Sequence, residues 1–218
     1  MKKRVKWTAC LIMLLCVMCM GAAAETAYES LCLQHGIAGN EVIAWLEIPG
    51  ASICTPVMRH PKEDAYYAKH DPHGGDCDTG SIYVQAGYNA ADFSDPVTLI
   101  YGSCASEDLP FGRLQELFSG SFEQLRSLYV HLPQETQEYT VFAAMPYSSI
   151  HILHYYDFSV KRRYDSFFDS VYSARLLGMH ADQSNRPEAG EDRVVILSTA
   201  LRGDSMQRYL VMARKRTL

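Results

Sequence analysis

The groups in this chain with the means to do chemistry are a few thiols, a scatter of imidazoles and one late arginine. Cys32, Cys54, Cys77 and Cys104 are spread through the chain, while Cys10, Cys16 and Cys19 lie in an apolar N-terminal stretch. A cysteine becomes a nucleophile or a metal ligand as its thiolate, which needs a nearby cation, imidazole or metal. The four later cysteines show no C-x-x-C or zinc-ligand spacing, and the plainer reading is free, partly buried thiols. His60, His70 and His73 with Asp71 and Asp76 make a loose polar cluster. Its H-x-x-H lacks a third ligand at a metal-site spacing, so no metal is assigned, and no cofactor motif is present. Tyr155, Tyr156, Phe158 and Tyr164, with His151 and His154 beside them, form an aromatic-rich stretch for which core packing is the simpler role. The basic run Lys161 to Arg163 reads as a solvated face.

The elements that must position these groups are short. Ala27 to His35 has the pattern of a helix stopped by Gly36, and Val42 to Gly50 reads as a strand and turn. Further apolar runs follow at Ser52–Met58, Ser81–Val84, Val97–Tyr101, Leu128–Leu132, Glu138–Met145, Arg193–Ser198 and Tyr209–Ala213. Helical spacing appears over Phe111–Leu125 through Leu114, Leu117 and Phe118. It appears again over Tyr164–Leu177 through Phe167, Phe168, Val171, Tyr172 and Leu176, followed by a polar loop from His180 to Asp192. Seven or eight short strands with Gly, Pro, Asn and Asp between them predict a mainly β fold, a closed or nearly closed barrel.

Lys2, Lys3, Arg4 and Lys6 precede apolar residues from about Ala9 to Met20, and Ala22 to Ala24 offer small residues for cleavage before Glu25. Residues 1–24 therefore read as a signal peptide or an uncleaved signal anchor, and residues 25–218 as one domain. The chain is 48% hydrophobic and 21% charged with a formal charge of −5, an ordinary globular composition that disfavours nucleic acid as a partner.

The stretch Trp45 to Met58 (WLEIPGASICTPVM) resembles the opening barrel strands of sortases. Tyr66 to Asp71 followed by Gly80 to Tyr83 resembles the class B version. Thr98 to Gly102 and Phe111 to Leu114 look like the strand and helix that flank the sortase histidine. Val195 to Ala200, with Arg208 to Val211 further on, is similar to the strand, cysteine and arginine of the active site. The helix before the last active-site strand also favours class B. The resemblance spans nearly all of residues 25–218. It implies a closed eight-stranded β-barrel with an N-terminal helix and a helix inserted between late strands. It also implies a thiol transpeptidase that cuts a sorting signal and joins the new carboxyl end to an amine, using a Cys nucleophile, a His acid/base and an Arg.

On that alignment Ser103 stands at the His position and Ala200 at the Cys position; only Arg208 matches. Alanine has no heteroatom to form a thioester. A serine hydroxyl does not exchange a proton near neutral pH as imidazole does. Arg208 retains the ability to pair with a carboxylate or polarise a carbonyl. The expectation is a catalytically inactive homologue on the outer face of the membrane or in the cell wall of a Gram-positive-type cell. It would bind a sorting-signal-like peptide, a surface protein or pilin, or another sortase, and touch the membrane only through its N-terminal segment. Ser198, Thr199, Asp204 and Tyr156 are the expected binding residues, with Asp204 orienting Arg208. The alternatives are an active transpeptidase using Cys104 as a displaced thiol, an engineered Cys-to-Ala form of an active sortase, and a wall-associated domain that binds nothing.

Overall fold

In the computed structural model, which describes residues 25–216 apart from 38, 40, 121, 123 and 124, a mainly β chain closes on itself. The export reading of residues 1–24 falls outside the described residues. Among the described residues no helix is long and apolar enough to cross a membrane. The strands are β1 (Val42–Ile48), β2 (Ile53–Met58), β3 (Ile82–Tyr83), β4 (Val97–Tyr101), β5 (Ser127–His131), β6 (Thr136–Ser148), β7 (His180–Ala181), β8 (Val194–Leu201) and β9 (Asp204–Lys215). Helix α1 (Ala27–His35) precedes β1, and helices α2 (Leu114–Gly120), α3 (Ile152–Tyr155) and α4 (Lys161–Ser173) lie between later strands.

The strand order is β5-β1-β2-β3-β4-β8-β9-β6-β7, and β5 also pairs with β6. That last pairing closes eight strands into a barrel and leaves β7 as a short addition outside the ring. The pairs β2–β3 and β4–β8 are parallel; the other ladders are antiparallel. A barrel strand alternates its side chains between interior and exterior. Val195 and Leu197 thus join Leu46, Ile100, Val211 and Ala213 inside. Val194 and Ile196 join Leu99, Phe142, Leu210 and Met212 on the outer face. That outer face is covered by α4, whose Tyr164, Phe167, Phe168, Val171 and Tyr172 recur at helical spacing and are all buried.

Helix α1 begins with a reciprocal capping box between Thr26 and Glu29 and ends at Gly36, which takes the left-handed conformation at φ 63°. Fully buried Trp45 donates its Nε1–H to the Cys32 sulfur at 3.2 Å, and Tyr28 donates to the Val42 carbonyl at 2.7 Å, so α1 is tied to the barrel wall through β1.

Three sequence expectations change. Phe111 to Arg113 form a turn, so the helix expected from Phe111 begins instead at Leu114, and its described span is Leu114–Gly120. Helix α4 starts at Lys161 and ends at Ser173, leaving Leu176 outside it and half exposed. The loop from His180 contains β7, which pairs with Ala143 and Ala144 of β6. Asp182 secures that pairing: its amide donates to the Phe142 carbonyl at 2.7 Å. Its carboxylate accepts from Ser184, Asn185 and Arg126, contacts that hold it well below the usual carboxylate range.

Just past β4, Gly102 leaves room that a side chain cannot have. A Cβ there would meet Phe111 at 2.4 Å and Ile82 at 2.5 Å, and both neighbours are buried. Gly102→Ala should therefore destabilise the fold by about 1–3 kcal/mol. Denaturant unfolding checks this; an unchanged midpoint would show that Phe111 and Ile82 can move aside.

Candidate functional site

The last residues of β8 continue its alternation. Ser198 and Ala200 follow Ile196 outward, and Thr199 follows Leu197 inward. Both partner strands carry the same register. Ser198 lies opposite Tyr101 on β4, and Ala200 opposite Arg208 on β9. On the far side of β9, Arg208 lies opposite Tyr147 of β6. Tyr101 and Tyr147 pack against the rim of the outer aromatic layer. The result is a surface just beyond the reach of α4, floored by Tyr101, Ser198 and Ala200 and crossed by one guanidinium.

Arg208 is held by three contacts. Its Nε–H donates to Ser198 Oγ at 3.1 Å, an Nη2–H donates to the Ser198 carbonyl at 3.4 Å, and its Cζ stands 5.6 Å from the Tyr101 ring centroid. Ser198 is 2% exposed, so the anchor is part of the core. Tyr83 stacks on Tyr101 at 5.4 Å. Burial pushes both phenols above their ordinary value while the Arg208 charge opposes the shift, and both remain neutral hydroxyls. Tyr147 is likewise pushed up by burial.

The other expected residues divide. Tyr156 is half-buried against Phe158 and Phe167, at 5.9 and 5.2 Å between centroids, in the aromatic layer that adjoins Tyr147. Thr199 lies opposite Tyr209, which belongs to the interior cluster, and the Thr199 hydroxyl is buried without a hydrogen-bond partner among the described residues, so it does not line the outer surface. Asp204 does not orient Arg208. Between Ala200, which pairs with Arg208, and Leu201, which pairs with Asp204, the register shifts, and residues 205–207 have no counterpart on β8. The Asp204 carboxylate closes that segment, accepting from the Met206 amide at 2.9 Å and from Gln207 Nε2 at 2.8 Å.

Ser103 faces a neighbouring cavity of about 180 Å³, lined also by Thr55, Thr79, Ser81 and Leu109, and its Oγ accepts from the Ala105 amide at 3.2 Å. Cys104 is half-buried, and its Sγ donates to the carbonyl of Ala200 at 3.2 Å, so this thiol reaches the strand position opposite Arg208. Cys32 and Cys77 are half-buried and Cys54 is exposed; all four are free thiols. In the His60–Asp76 loop, His60 Nδ1 accepts from the Lys62 and Glu63 amides, and the two nitrogens of His70 face the Tyr66 carbonyl and the Asp76 carboxylate.

No protein-family model and no curated protein matches this sequence. Solved structures do resemble it. Staphylococcus aureus sortase B in complex with substrate superposes with a TM-score of 0.70 at 20% identity, over 88% of this chain and 85% of that one. Sortase B of Clostridium perfringens gives 0.67 at 20% identity, over 80% and 93%. Sortase B of Bacillus anthracis gives 0.68 at 24% identity, over 90% and 87%. The fold is that of sortase B.

Within this sortase B fold one imidazole reaches the site, and sequence reasoning placed it only in an aromatic stretch. His151 packs on Tyr88 at 4.4 Å and lies 6.5 Å from the Tyr101 ring. Both its nitrogens are engaged. Nδ1 accepts from the His154 amide and caps α3, while Nε2 sits 2.7 Å from Gln85 Oε1 and donates to it. This describes a neutral ring fixed in one tautomer, with no nitrogen left to exchange a proton with a ligand. Burial pushes its protonation below the ordinary value, and repulsion from His154 adds to the effect.

A group whose folded value is depressed contributes stability that is complete above its unfolded value, near about 6.5, and lost as pH falls through the lower folded value. Melting temperatures of the wild type and His151→Gln should therefore differ most at neutral pH and converge as the pH falls below about 6.5. A gap independent of pH would mean that folding leaves the protonation equilibrium of His151 unchanged.

Proposed function

We propose that this chain is an exported sortase-family protein of the cell surface that holds a sorting-signal-like peptide, or the surface protein or pilin carrying it, without cutting it. The observation that carries the reading is the pairing of Arg208 with Ala200: a fixed guanidinium faces a methyl group where covalent catalysis needs a sulfur. Arg208 keeps donors suited to a carbonyl or carboxylate. Ser103, at the position where the resemblance puts the imidazole, contributes a hydroxyl whose acidity is far from neutral pH. The shared fold supports a peptide as the ligand, because the S. aureus sortase B with this architecture was solved with its substrate.

One observation favours a second reading, in which Cys104 acts as a displaced nucleophile: its sulfur lies 3.2 Å from the Ala200 carbonyl. Against it, that thiol uses its proton on a carbonyl, and its one hydrogen-bond partner among the described residues is neither an imidazole nor a guanidinium.

Two measurements separate the readings. In binding assays against sorting-signal peptides and surface proteins, Arg208→Ala should weaken binding by about tenfold or more, the value of one or two charge-assisted hydrogen bonds. Under thiol alkylation at mildly acidic pH, Cys104 should react no faster than Cys32, Cys54 and Cys77. A Cys104 that reacts far ahead of the others, and slows when Arg208 is replaced, would return the chain to the enzymes. A panel with no binder would remove the peptide reading.

A further inference from the structure

Arg208 differs from six other arginines of this chain in what it lacks. Arg113, Arg126, Arg186, Arg202, Arg214 and Arg216 each sit on a carboxylate. Arg208 has no ion-pair partner among the described residues, although it is half-buried and fixed. A guanidinium carries five N–H donors. Ser198 takes one from Nε and one from Nη2, which leaves both donors of Nη1 and one of Nη2 without an acceptor among the described residues. Around them stand neutral groups: the Tyr101 and Tyr83 phenols, the Ala200 methyl and, across β9, Tyr147. The acid whose field reaches Tyr83 and Tyr101 is Asp64, and its Oδ1 accepts from the Gly87 amide at 2.7 Å, which holds it in its own loop.

Such a site carries an unbalanced positive charge in surroundings that screen it poorly, and an anion is favoured there over a neutral acceptor. The unused donors on Nη1 and Nη2 also suit two parallel hydrogen bonds, the geometry a carboxylate accepts and a single amide carbonyl does not. We infer that Arg208 recognises a free carboxylate, and that the ligand of this face is the C-terminal carboxyl end of a peptide rather than an uncut internal amide. The inference deepens the peptide-binding reading above and rests on it for the peptide part alone. A free carboxyl end is carried by every intact polypeptide and is also what hydrolysis of a peptide bond leaves, so the ligand is a native C-terminus or the product of peptide cleavage by another protein.

The test uses the full chain and two probes. Paired hexapeptide libraries, identical except for a C-terminal carboxylate or a C-terminal amide, are compared for binding at low ionic strength. In parallel, modification of Arg208 by an arginine-specific dicarbonyl is followed by peptide mass, with acetate or acetamide as competitor. We expect acid peptides to bind at least tenfold more tightly than their amide twins, and Arg208→Gln to remove the difference in a chain that still unfolds cooperatively. We also expect acetate, and not acetamide, to slow modification of Arg208. Acid and amide peptides binding equally would overturn the carboxylate inference and leave the peptide reading standing. Acetate protection with no peptide bound from either library would support the carboxylate inference and sink the peptide reading. No binding and no protection would overturn both.

Discussion

Each residue of β8 has to satisfy either the barrel interior or the layer under α4, because β4 and β9 hold both of its edges and neither of its faces is open to water along most of its length. Val195 and Leu197 go inward, Val194 and Ile196 outward, and the alternation cannot slip by one residue without exchanging the two cores. The site inherits its order from this constraint. Ser198 and Ala200 face outward because Ile196 does; Ser198 is still buried, and Ala200 is the first of them to be partly exposed. Arg208 is aimed at that spot by its own register opposite Ala200.

Holding a guanidinium there is costly unless its donors and its flat face find partners. Ser198 supplies a hydroxyl and a carbonyl, and Tyr101 supplies a ring face, a contact worth about 0.5–2 kcal/mol depending on how dry it is. These partners are rigid, since Ser198 is buried and Tyr101 is clamped by Tyr83. A ligand would therefore meet a donor array that is already oriented, and would lose little to reorganisation on binding.

Much of the barrel was legible because its strands obey a period of two. Val97–Tyr101 reads off the chain with its observed limits, and the five buried residues of α4 recur at helical spacing. The same period contained the answer for Thr199, since a residue between two outward neighbours must face in. Three features depended on contacts that no local pattern carries. The β7 strand exists because Asp182 is fixed by Arg126 and by the Phe142 carbonyl, both distant in sequence. The detachment of Asp204 from Arg208 comes from a bulge visible only as a break in pairing. His151 reaches Tyr101 through Tyr88 and Gln85, more than sixty residues away, so its spacing among the aromatics suggested only packing.

On the reading proposed here, the loss of a nucleophile changes what the same arginine is for. A cation placed to meet charge that develops on a carbonyl oxygen accelerates a reaction only to the extent that it binds the transition state better than the ground state. With a methyl group at Ala200 no attack generates that charge, and Arg208 can act only through what it binds at rest. The ground-state ligand that most resembles the absent oxyanion is a carboxylate, which carries its negative charge permanently and needs no nucleophile to create it. The geometry that fixes Arg208 against Ser198 and Tyr101 then selects a free chain end over an internal peptide bond.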